Sequence, residues 1–279
     1  MNTNIEGIVF PTLYIPHGGG PCFFMDWTMG PADTWNKMER WLRQLADSIG
    51  ARPTQIVVCS AHWEGDKILI NANAKPELIF DYYGFPPHTY ELEYPAPGSP
   101  QLAGQIKGLL NNSGISASLD AEHGFDHGTF IPFKLIYPDA DIPIVQISLR
   151  SDLDPAHHLA VGQALSPLRL EGTLIVGSGL SYHNMQALMT PGNNKPDAQQ
   201  FDDWLRGACA NNAAEREQLL CDWQNVPAAR EAHPREEHLL PLMVAAGAAG
   251  NEAGVAIYQD QVLGAQVSAI QFGKCVSNH

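Results

Sequence analysis

The sequence predicts an α/β fold with a mostly parallel central sheet, and two observations predict it. Short apolar runs of four to six residues recur along the chain, rich in Val and Ile and bounded by Pro, Gly or polar residues. Such runs are the mark of strands buried on both faces. Between them lie stretches whose apolar residues return every three or four positions, forming one stripe of a helix. Strands alternating with helices bury a largely parallel sheet between helical layers.

The elements follow in order. Thr12-Leu13-Tyr14-Ile15 is a first, short strand. Thr34 to Ile49 is a helix, because Trp35, Met38, Trp41, Leu42, Leu45 and Ile49 fall on one face. Ile56 to Ser60 is the next strand, and Pro100 to Leu110 a second helix. Strands then follow over Ile142 to Ile147 and Thr173 to Ser178, a helix over Asp197 to Cys209, and a strand over Val267 to Phe272. No Ser/Gly tract, charge run or fixed-period repeat interrupts them, so residues 1–279 read as a single domain.

Composition narrows the function. Sixteen Lys and Arg stand against 30 Asp and Glu, a formal charge of −14. A surface so acidic repels phosphate backbones, which argues against nucleic acid and anionic membrane surfaces as partners. No window approaches the apolar length of a membrane span, and Met1 to Glu6 lack a basic leader, so the chain reads as cytoplasmic. The five cysteines are scattered and form no Cys-x-x-Cys pair, which excludes a zinc knuckle and a thioredoxin-like redox site.

The histidines carry the chemistry. In α/β sheets functional groups collect on the loops beyond the carboxyl ends of strands. His17 follows the first strand, His62 the second, and His183 the strand ending at Ser178. Two further histidines stand in unusual contexts, His127 in Phe125-Asp126-His127-Gly128 and His233 in His233-Pro234. Neutral imidazole is the commonest metal ligand and the side chain most easily poised near neutral pH. The glycines after His17 lack the Lys-Ser/Thr of a phosphate-binding loop, and no His-Glu-x-x-His helix is present. Pro234 suits a first helical position, which places His233 at the entry of a helix through Leu239, Leu242 and Met243, with His238 on another face. These residues imply a mononuclear site of nitrogen and oxygen ligands without thiolate; they do not name a reaction.

Other candidates read as structure. Tyr82, Tyr83, Phe85 and His88 read as loop packing, with part of an aromatic pocket wall as the alternative, and His157-His158 and Glu215-Arg216-Glu217 read as solvated helix surface. Asp126 either orients a histidine or caps the following turn.

At these positions the chain resembles the class III, LigB-type extradiol dioxygenases, in the branch of the DOPA 4,5-dioxygenases. The resemblance rests on His17-Gly18-Gly19-Gly20-Pro21, Ser60-Ala61-His62-Trp63, Phe125 through Pro132, Gly177-Ser178-Gly179 leading to His183, His233-Pro234, and the proline-rich loop from Asp81 to Pro100. It spans about residues 12–272. It implies that His17 and His62 bind a metal, that His183 is the catalytic base, and that His127 is a second active-site histidine. His233 is the implied third ligand, with Glu236 or Glu237 as alternatives. Fe(II) is the expected metal, and an all-histidine set suits Zn(II) as well. The implied substrates are a small DOPA-like aromatic diol and O2. Two rival readings share such a site: a zinc-dependent hydrolase and a non-catalytic binding protein of the same fold.

Overall fold

The apolar runs become the middle of a sheet. The computed structural model describes residues 8–190 and 195–277, so that Met1 to Glu6 and His279 lie outside the described residues. The strands are β1 (Ile8–Val9), β2 (Thr12–Pro16), β3 (Gln55–Gly65), β4 (Ile68–Asn71), β5 (Ala117–Asp120), β6 (Ile144–Arg150), β7 (Thr173–Gly179), β8 (Gly254–Val262), β9 (Ala265–Phe272) and β10 (Val276–Ser277). Eight of them form one sheet in the order β5-β4-β6-β3-β7-β2-β9-β8, and β1 pairs separately with β10. The inner strands β6, β3, β7 and β2 run parallel, while β9 and β8 join antiparallel at one edge. One α/β domain with a mostly parallel sheet is therefore present, as the run pattern implies.

The helices are α1 (Asn36–Ile49), α2 (Pro100–Asn112), α3 (His127–Ile136), α4 (Pro155–Leu165), α5 (Met185–Met189), α6 (Pro196–Cys209), α7 (Ala213–Cys221), α8 (Ala229–Ala232) and α9 (Leu240–Ala248). Among the described residues, none is long and apolar enough to cross a membrane. Every residue of α9 is buried, as a helix apolar all round must be. It packs on β7, β2 and β3, with α4 beside it, while α3 meets β3 and β7.

Strand alternation explains which helix goes where. Successive residues of β7 face opposite sides of the sheet. Gly177 and Gly179 face α9 and the residues just before it: a Cβ on either would stand 2.1 Å from the carbonyl oxygen of Pro241 or His238. Ser178, between them, turns the other way and donates its hydroxyl to the carbonyl of Gly128 in α3. Only residues without side chains let the backbone carrying His238 sit this close to the sheet. Tyr14 on β2 closes the same contact by donating to the His238 carbonyl at 2.7 Å.

Two surface expectations are corrected. His158 is fully buried: its Nδ1 donates to the Asp154 carbonyl at 2.7 Å and its Nε2 accepts the Arg150 N–H at 3.0 Å. Arg216 is also buried, and donates to the carbonyls of Ala246, Gly250 and Glu252. It thereby caps the Ala246 carbonyl in the last turn of α9 and the Gly250 and Glu252 carbonyls that follow it.

Candidate metal centre and active site

Three strands deliver three of the histidines. His17 follows β2, anchored by its backbone N–H to the Gly179 carbonyl at 3.2 Å. His62 lies within β3, beyond Ser60, the last residue paired with β7, in the stretch where the register against β6 shifts. The strand there leaves its neighbour and turns its side chains toward the crevice. His183 lies four residues past β7, its N–H held by the Ala232 carbonyl at 2.9 Å. His127 is the first residue of α3, and His238 sits in the turn just before α9.

These five rings form one cluster. His17 lies with its centroid 4.9 Å from His62, 5.3 Å from His127 and 5.2 Å from His238. His62 and His127 are 3.9 Å apart, and His183 stacks on His238 at 3.3 Å. The ring nitrogens of His17, His62 and His238 come within 4.8 Å of one another, close enough to hold one metal ion.

The partners of each Nδ1 reveal where the lone pairs point. A carboxylate only accepts, so an Nδ1 facing one must carry the proton. His238 and His183 both donate Nδ1–H to Oε1 of Glu237, at 3.0 and 3.1 Å. His127 donates to Oδ1 of Asp81 at 2.8 Å, and His62 faces Oδ2 of the same carboxylate at 3.5 Å. Ser178 commits its one hydroxyl proton to Gly128, so at 3.1 Å it accepts from Nδ1 of His17. In its neutral form each of the five imidazoles therefore has its lone pair at Nε2. The Nε2 atoms of His17 and His62 face each other at 3.1 Å, where two lone pairs repel unless a cation or a proton lies between them. This donor set fits a divalent metal, with each ligand oriented through its second nitrogen.

Electrostatics agree. Burial first, and then the neighbouring imidazoles, push the pKa values of His17, His62 and His238 well below the usual histidine value, which keeps them neutral and able to ligate. Burial raises the Asp81 carboxyl, but the hydrogen bond from His127 and the nearby histidines outweigh it and leave it below its ordinary value. Glu237 is also lowered, with burial opposed by His183, its own backbone and Arg235. Two ionised carboxylates therefore flank the neutral imidazoles of His17, His62 and His238.

Of the expected site residues, the structure brings together His17, His62, His127 and His183. It does not bring His233 among them. His233 is fully buried, with its ring against Phe201 and Trp223 and its Nε2 donating to the Ser181 carbonyl at 3.0 Å. The expectation that placed it at a helix entry fails because residues 233–239 are not helical, a turn over 237–239 leading into α9, which begins only at Leu240. In that turn His238 is free to face the crevice. Glu236 ion-pairs with Arg230, and Glu237 is occupied by histidines. Asp126, expected to orient a histidine or cap α3, does neither with its side chain. It accepts from Ser60 at 2.7 Å and from Gln146, and burial together with Asp81 pushes its pKa up to about 6. The orienting role on His127 belongs to Asp81, whose only sequence signal was its place at the head of the Asp81–Pro87 loop. Tyr82 packs its ring 5.8 Å from His127, whereas Tyr83 is exposed.

Comparison with known proteins decides the family. Residues 11–272 match the catalytic LigB subunit of aromatic ring-opening dioxygenase. The chain belongs to the LigB family. A 4,5-DOPA dioxygenase extradiol of Beta vulgaris is 40% identical over 258 residues, covering 88% of this chain and 89% of that protein. One from Escherichia coli K12 is 34% identical over 241 residues, covering 85% and 84%. The crystal structure of an uncharacterized protein from Escherichia coli K12 superposes with a TM-score of 0.75 at 29% identity, covering 95% of this chain and all of that one. This LigB enzyme is thus a metal-dependent extradiol ring-cleaving dioxygenase, an oxidoreductase acting on an aromatic substrate and O2.

Proposed function

We propose that the enzyme opens the ring of a catechol of the DOPA type beside its two hydroxyl groups, with His17, His62 and His238 holding Fe(II), His183 as base and His127 as the second proton-handling group. The observation that carries this reading is the convergence of three neutral Nε2 donors, flanked by two histidines that each lean on a carboxylate. The DOPA-like substrate class rests on the names borne by the relatives from Beta vulgaris and Escherichia coli.

When bound, the metal supplies Lewis acidity that eases loss of a catechol proton, and redox chemistry that lets the ring react with O2; Zn(II) offers the first but not the second. The chain's own groups do the proton work. His183, pinned through Nδ1 to Glu237, presents Nε2 as an acceptor for a hydroxyl proton. His127, pinned through Nδ1 to Asp81, presents its Nε2 from the opposite side, where it holds the substrate and exchanges a proton as the ring opens. Both atoms of O2 end in the product, so no external reductant is consumed. Positioned acid–base groups of this kind contribute on the order of 10²–10⁴-fold.

The test is anaerobic reconstitution with Fe(II), then oxygen uptake with a panel of catechols that includes DOPA. Stoichiometric uptake with a new visible-absorbing, ring-opened product is expected, fastest with DOPA-like compounds. Full iron occupancy with no uptake on DOPA or its carboxylic analogues would overturn the substrate assignment.

A further inference from the structure

We propose that Glu237 is a positioning residue for ring opening: one carboxylate oxygen sets the imidazoles of both His238 and His183, and the Arg235–Glu64 ion pair braces that carboxylate against the strand carrying His62. The proposal rests on the reading above, in which His238 binds the metal and His183 is the base.

The need for such a residue follows from the backbone. His238 belongs to a turn, so no helical ladder fixes its ring before α9 begins. Its carbonyl is pinned by Tyr14, but its side chain depends on what it touches. What it touches is Oε1 of Glu237 at 3.0 Å, and the same atom receives Nδ1–H of His183 at 3.1 Å. The two rings lie nearly parallel, 15° apart, with centroids 3.3 Å apart. A shared acceptor explains that stack: it draws both Nδ1 atoms to one point and turns both Nε2 atoms the same way.

Glu237 is itself held. Its Oε2 faces Nη1 of Arg235 at 3.5 Å, and the guanidinium grips Glu64 in a fork at 2.6 and 2.7 Å. Glu64 lies two residues beyond His62 on β3. The ion pairs therefore link the turn bearing His238 to the strand bearing His62. Planar, two-pronged pairing makes arginine suited to this, where a lysine would act only as a point charge. On the other flank Asp81 pairs His62 with His127 in the same fashion, although it uses a separate oxygen for each ring.

The experiment titrates the metal-free wild type, Glu237→Ala, Glu237→Gln, Arg235→Met and His238→Ala with Co(II), whose visible bands report coordination geometry. It then measures kcat and KM of the iron-loaded proteins. His238→Ala is expected to lose the Co(II) bands. Glu237→Ala should bind Co(II) roughly 10–100-fold more weakly with altered bands, the range typical of lost partners to ligating histidines. Its kcat should fall while KM for the diol stays close to wild type. Glu237→Gln keeps an oxygen for one Nδ1–H and should recover part of both losses, and Arg235→Met should move both in the same direction by less. Wild-type affinity, bands and kcat in Glu237→Ala, with His238→Ala having lost the metal, would overturn the role of Glu237 and leave the ligand set standing. Wild-type Co(II) binding by His238→Ala would overturn the ligand set and the proposal with it. Should Glu237→Ala fail to fold, wild-type bands and kcat in both Glu237→Gln and Arg235→Met would overturn it.

Discussion

On the proposed assignment, each site histidine uses one nitrogen for the protein and keeps the other for chemistry, and substitutions should separate these duties. His238→Ala should lose metal, measured as bound iron after removal of free ion, while His233→Ala should retain stoichiometric metal. The cost of His233→Ala falls elsewhere: a buried ring and its bond to Ser181 are lost, which costs about 2–4 kcal/mol in a denaturant titration. His183→Ala should keep its iron and lose on the order of 10²–10⁴-fold in kcat, as removal of an acid–base group does. The sequence made His17, His62, His127 and His183 visible because each stands beside glycine, or at a strand end, in a chain whose strands are easily read. It hid His238 because Pro234 looked like a helix start. A helix there would have turned His238 away; the turn that exists instead turns it in. Asp81 and Glu237 were hidden for a different reason: a carboxylate's role is set by which distant histidine reaches it, and spacing along the chain carries no record of that.

At the level of elements, two glycines let α4 and α9 touch backbone to backbone. A Cβ on Gly162 would stand 2.1 Å from the Val244 carbonyl, and one on Gly247 2.1 Å from the Leu159 carbonyl. Neither obstacle is a flexible side-chain tip that could step aside. Gly162→Ala and Gly247→Ala should each destabilise by about 1–3 kcal/mol through overpacking, seen as a lower denaturation midpoint at unchanged slope. Two buried arginines hold the far end of α9: Arg216 as described, and Arg169, which donates to the Ala248 and Phe10 carbonyls. Legibility also divided by element. The inner strands and long helices were readable because burial on both faces, or on one stripe, imposes a pattern. Ala117–Asp120 is short, and Gly254–Val262 is a half-exposed edge strand that mixes Tyr258 and Val262 with Gln259, Asp260 and Gln261. Neither pattern had to be strong, and neither strand was foreseen. The same reasoning misplaced His158 and Arg216 on the surface, since polar residues are buried wherever backbone carbonyls and N–H groups await a partner.

For the molecule as a whole, buried neutral histidines set the acid limit of stability. Burial first of all pushes His158 down to about 4 and His233 to about 3. In the unfolded chain both would protonate near pH 6.5. As the pH falls below that value the unfolded state takes up protons that the folded state refuses, so stability is lost with acidification until the folded values are reached. Each such group steepens the loss by up to roughly 1.4 kcal/mol per pH unit. Thermal unfolding of the metal-free protein should show a melting temperature that drops from pH 6.5 to 4.5, and His158→Gln should drop less steeply across that window. An equally steep profile in the variant would exclude His158 as a source.

The proposed ligand set also has a history along the chain. His17 and His62 come from its first quarter and His238 from its last fifth, after every parallel strand has been made. On the proposed assignment, a growing polypeptide offers only part of the coordination set until the segment bearing His238 has docked against the earlier strands. An ion held by that set would cross-link segments that lie far apart in the sequence. It favours the native state by RT ln(1 + [M]/Kd), and a chelator that strips it should leave the enzyme easier to unfold as well as idle.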